Sequence, residues 1–80
     1  MTIERIAINP QILGGKPCIT GTRIAVTIIL ELLEDGLSFD EIVNDYYPHL
    51  SKEDIRACLE YAKAMINLED VHFAGEPVAV

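Results

Sequence analysis

The residues best equipped for chemistry lie between Gly14 and Val26, in the stretch GGKPCITGTRIAV. Lys16 and Arg23 stand there with the Thr20-Gly21-Thr22 backbone between them. Glycine-rich turns can leave backbone N–H groups pointing outward to receive an anion. Lys16, Thr22 and Arg23 therefore form a candidate grip for a phosphate, on DNA or elsewhere, or for a partner's carboxylate. The same residues carry a structural reading, in which Arg23 pins the hairpin by pairing with Glu4 or another nearby acid. GGKP is not a phosphate-binding P-loop, because the upstream glycine and the Ser or Thr after lysine are missing. His49 and His72 are far apart and lack metal-ligand spacing. Cys18 and Cys58 sit among apolar neighbours and read as buried free thiols, not a disulfide scaffold. The acid pairs Asp40-Glu41 and Glu53-Asp54 are explained by placement in first helical turns. These residues predict no enzyme, metal or cofactor.

The elements around the stretch follow from pattern. Residues 3 to 8, IERIAI, alternate with Ile6 and Ile8 on one face and predict a short strand, stopped by Asn9-Pro10. Gly14-Gly15 and Gly21 suit tight turns, and Cys18-Ile19 is placed to pair with the first strand. A lone hairpin is hardly stable in water, so it must lie on the helices or pair with another chain, and pairing between two protomers is the favoured expectation. Val26, Ile29, Leu30 and Leu33 predict helix one over 26–35, flanked by Ile28 and Leu32, with Gly36 just past its end. Ser38 to Glu41 is a capping box that opens helix two, with Leu37 and Ile42 as its staple. Phe39, Ile42, Val43 and Tyr46 form the inward stripe, and Pro48 ends the helix. Ser51 and Asp54 repeat the capping device, with Leu50 and Ile55 as the staple. Helix three should run to about Leu68, with Ile55, Cys58, Leu59, Ala62 and Ile66 on one face. The whole predicts an α+β fold, mainly α. A short N-terminal strand and β-hairpin precede a three-helix bundle of helix-turn-helix (homeodomain-like) type. Residues 1–68 form the domain and residues 69–80 an extended tail.

Gly-Gly-Lys-Pro-x-Ile-x-Gly-Thr-Arg-Ile-x-Val resembles the signature of a small bacterial family, DUF433, many of whose members are described as VapB-type antitoxins. Gly36-x-Ser38, Glu41-Ile42, Asp45-Tyr46, Pro48-x-Leu50-Ser51-x-Glu53-Asp54-Ile55 and Leu59-x-Tyr61-Ala62 extend the likeness over about residues 6 to 66. Thr20 stands where the family commonly has arginine, and Ala25 where it commonly has proline. The resemblance implies an antitoxin whose C-terminal segment covers a PIN-like ribonuclease toxin. On that implication Glu69, Asp70 and Glu76 face a basic groove, while Val71, Phe73, Val78 and Val80 fill apolar pockets; the alternative is a tail folded back on its own dimer.

Composition sets bounds on these readings. Eighty residues make one domain, and half of them are hydrophobic, which suits a homodimer better than a monomer. Six Lys and Arg against thirteen Asp and Glu give a net charge of −7, which opposes DNA and favours a basic protein partner. Helix three offers Arg56 and Asn67 to DNA bases and little else. Glu53 and Glu60 stand where they would neutralise Arg56, and Glu60 where it would neutralise Lys63. No signal peptide or membrane span is visible, and reduced cysteines predict a cytoplasmic location. The expectation is an antitoxin that binds its toxin, with promoter DNA left open as a second ligand through Lys16, Thr22, Arg23 and Arg56. The alternative is a homodimeric interaction module without DNA binding.

Overall fold

The computed structural model describes residues 4–68. Two short antiparallel strands, β1 (Ile6–Ala7) and β2 (Cys18–Ile19), precede three helical segments. These are α1 (Val26–Glu34), α2 (Phe39–Glu41, continued by a π-helical run Ile42–Tyr46) and α3 (Lys52–Leu68). The α+β, mainly helical class agrees with the sequence pattern. Ile6 pairs with Ile19 and Ala7 with Cys18, as the pairing of Cys18-Ile19 required.

The hairpin is built of two turns. A single 3-10 turn at Leu13–Gly15 closes the β1–β2 loop. Beyond β2 the chain reverses again, with the Thr22 N–H donating to the Ile19 carbonyl at 3.0 Å. Gly21 at φ +80° occupies the third position of that turn, where a type II turn demands left-handed backbone. The reversal returns Ala25 beside Cys18 and starts α1.

The first strand is shorter than the expected 3 to 8, and Ile8 is 60% exposed where Ile6 packs on the core. Asn9 is the reason. Its side chain accepts the Gln11 N–H and its carbonyl accepts the Ile12 N–H, both in the turn that ends the pleat. Without continued pleating, Ile6 and Ile8 no longer share a face.

The three helix termini follow local chemistry. Gly36, at φ +97°, ends α1 in a Schellman motif: its N–H donates to Leu33 and the Leu37 N–H donates to Leu32. Ser38 and Glu41 exchange hydrogen bonds of 3.1 and 3.0 Å at the start of α2. Ser51 and Asp54 do the same before α3.

The core joins Ile19 of β2, Val26 and Ile29 of α1, Ile42 of α2, Leu50, and Ile55 and Cys58 of α3. Two stripes depart from expectation. Tyr46 is 52% exposed, while Tyr47 packs against the core. The π-helical run explains this, because the Tyr47 N–H reaches back five residues to Ile42 and the inward position moves on by one. On α3, Ile55, Ala57 and Cys58 are buried, but Leu59 is 41% and Ile66 62% exposed. The neighbouring elements cover Ile55, Ala57 and Cys58 and leave Leu59, at the middle of α3, and Ile66, in its last turn, exposed. No described helix is long and apolar enough to cross a membrane.

Candidate binding groove

The second hairpin turn, the start of α1 and the loop after α2 enclose an open groove of about 730 Å³. The hairpin contributes Lys16, Gly21, Thr22, Arg23 and Ile24. Thr27 and Ile28 come from the first turn of α1, Tyr47 and His49 from the loop, and Leu13 from the 3-10 turn. Among the described residues no carboxylate lines it. The two ion pairs among the described residues are Arg5–Asp54 at 2.9 Å and Lys52–Asp40 at 2.8 Å. Arg23 thus does not pair with Glu4. Glu4 gives only its carbonyl, which accepts the Thr20 hydroxyl at 2.9 Å.

Each lining residue is held by its local structure. Leu13 has φ +52°, a left-handed conformation that disfavours any residue with a Cβ, and it remains 38% exposed. Tyr47 and His49 meet edge to face with ring centroids 6.2 Å apart. Thr22 is fully committed to the turn: its hydroxyl donates to Ile19 at 2.7 Å and accepts the Ile24 N–H at 3.0 Å. It shapes the groove and has no proton left to offer a ligand.

Of the sequence-predicted anion set, the fold brings Lys16, Thr22 and Arg23 together and sets Arg56 apart. Arg56 lies on α3 in a smaller pocket of about 300 Å³ with Phe39, Leu59, Glu60 and Lys63. Neither Arg56 nor Lys63 forms an ion pair among the described residues, so the expected neutralisation by Glu53 and Glu60 is not formed. The partner-binding candidates Val71, Phe73, Glu76 and Val78 lie outside the described residues. His49 and Tyr47 were not among the candidates. Their place in the groove depends on tertiary packing of the loop after α2, which no spacing in the sequence encodes.

The thiols are poor nucleophiles. Both are buried, and burial, aided by the Asp54 charge, pushes Cys58 up to about 12. No group of three His, Cys, Asp or Glu among the described residues is arranged to hold a metal ion. What the groove offers is two cations and an imidazole around an apolar floor, an arrangement for binding.

The family described as Protein of unknown function (DUF433) matches residues 6–62. The chain belongs to that family. The crystal structure of a DUF433 member from Anabaena variabilis ATCC 29413 is similar, with 30% sequence identity and a TM-score of 0.70. The match covers 80% of this chain and 62% of that one, so this DUF433 protein spans less than two thirds of its relative's length. No curated protein matches it.

Proposed function

We propose that this DUF433 protein is a non-enzymatic antitoxin: it binds and neutralises a PIN-like ribonuclease, with a helix-turn-helix unit formed by α2 and α3. The observation that carries the reading is the exposed apolar edge of α3. Leu59 and Ile66 lie two turns apart, at the middle and in the last turn of α3, the helix that precedes residues 69–80. In sequence, α3 is followed by a segment that contains Val71, Phe73, Val78 and Val80 with Glu69, Asp70 and Glu76. A composition of apolar residues and carboxylates without cations suits a partner whose surface combines apolar pockets with basic charge. The net charge of −7 supports the same choice of partner.

Co-expression with the reading frame adjacent to its gene tests the proposal, which requires that neighbour to encode a small ribonuclease-like protein. The full chain should rescue growth and co-purify with the neighbour. A chain ending at Leu68, or one carrying L59E and I66E, should lose both effects while keeping its helical circular dichroism. If the neighbour is harmless alone, or the truncated chain rescues fully, the reading fails.

Promoter DNA is a second ligand favoured by one observation: Lys16 and Arg23 share a groove that no carboxylate among the described residues lines. A salt series on a promoter fragment decides it. Binding through these two cations predicts a log–log slope of about −2, and no shift at low ionic strength ends the claim.

A further inference from the structure

The lining of the groove between the hairpin and α1 combines two cations with apolar side chains. Lys16 and Arg23 supply the charge, and Leu13 and Ile28 stay 38% and 40% exposed inside it. Among the described residues no carboxylate lines it. A counterpart must be acidic and apolar together.

The chain contains such a segment. Residues 69–80, EDVHFAGEPVAV, hold Glu69, Asp70 and Glu76 among Val71, Phe73, Val78 and Val80, with no Lys or Arg. We propose that residues 69–80 of one copy dock in the Lys16–Arg23 groove of a second copy. Carboxylates of Glu69 and Asp70 meet the two cations, and Phe73 covers Leu13 and Ile28. Charge complementarity sets the register, and burial of the exposed aliphatic side chains supplies the attraction.

Reach favours exchange over docking within one chain. Tyr47 and His49, just before α3, belong to the groove, whereas residue 69 leaves the far end of α3. Seventeen helical residues span about 25 Å at ~1.5 Å each. Glu69 and Asp70 extend only about 3.5 Å per residue from that end. A second copy has no such constraint, and mutual exchange closes as a two-fold dimer. A protein partner that uses the same segment then competes with the dimer. The inference stands on the groove and the segment's composition, independently of any toxin.

The chain contains no tryptophan, so F73W gives a single reporter in the full-length protein. Its emission should be blue-shifted in a concentration-dependent way, in step with dimer formation by sedimentation. K16E with R23E should return the emission to a solvent-like position and weaken the dimer at least tenfold. Adding E69K, D70K and E76K to that variant should restore both, a rescue that a merely misfolded hairpin cannot produce. Solvent-like emission of F73W alone, a shift independent of concentration, or charge reversal without effect or without rescue would each overturn the proposal.

Discussion

Asp54 shows how much one side chain can hold. One carboxylate oxygen accepts the Ser51 N–H at 3.0 Å and the other accepts Arg5 at 2.9 Å. It thereby caps α3 and ties that helix to the start of β1. Burial pushes its carboxyl up, but hydrogen bonds from Ser51 and Arg5, with the Arg5 charge, outweigh this and leave it below its ordinary 3.8. A carboxylate lowered on folding stabilises above its unfolded value, and that stabilisation disappears as pH falls through the folded value. Stability to urea should therefore be level from neutral pH to about 5 and fall below about 4. D54A should flatten this acid arm and destabilise the fold by about 1–2 kcal/mol at neutral pH. An unchanged acid arm would remove Asp54 from the account. The Ser51 partner was legible because capping is a local, three-residue matter. Arg5 was not, since 49 residues separate it from Asp54. The thiols give a second check at this scale. Cys58, held up at about 12 and fully buried, should resist Ellman's reagent in the native protein and react only in denaturant.

At the scale of elements, the termini were readable and the interior of α2 was not. Ser38-Glu41, Ser51-Asp54 and Gly36 act through hydrogen bonds within a few residues, so their sequence is their geometry. The π-helical run shifts the core position from Tyr46 to Tyr47, and two adjacent tyrosines give periodicity no means of choosing between them. Ala25 offers the sharpest test of the local account. Its φ of −68° is the value proline fixes. The Cys18–Ala25 bridge is made by the Ile19 and Val26 N–H groups, leaving that of Ala25 unused. A25P should raise stability by about 0.4–1 kcal/mol, by restricting the unfolded chain. Gly36 should respond in the opposite sense. A Cβ there meets nothing within 4 Å, so G36A isolates the left-handed backbone penalty of about 1–2 kcal/mol. Urea melts of both variants, read against the wild type, give the two signs.

The whole molecule is governed by an imbalance of charge that its local contacts do little to offset. The net charge is −7, and the described ion pairs number two. Lys52 and Asp40 are each more than half exposed, which makes their contact weak and easily screened. The Arg5–Asp54 contact is better sheltered on the carboxylate side and survives salt better. Repulsion among the remaining carboxylates opposes the compact state, and it acts over distances that salt shortens from about 30 Å at 0.01 M to about 8 Å at 0.15 M. Salt therefore removes more repulsion than attraction. Raising sodium chloride over that range should increase the thermal midpoint, by about 4–8 °C for each kcal/mol of repulsion relieved in a domain of this size. Calorimetry of the K16E and R23E double variant extends the argument. Reversing both cations adds to the same imbalance, so its midpoint should begin lower and climb more steeply with salt. A midpoint that falls with salt in the wild-type protein would mean that the few ion pairs outweigh the field of the whole chain.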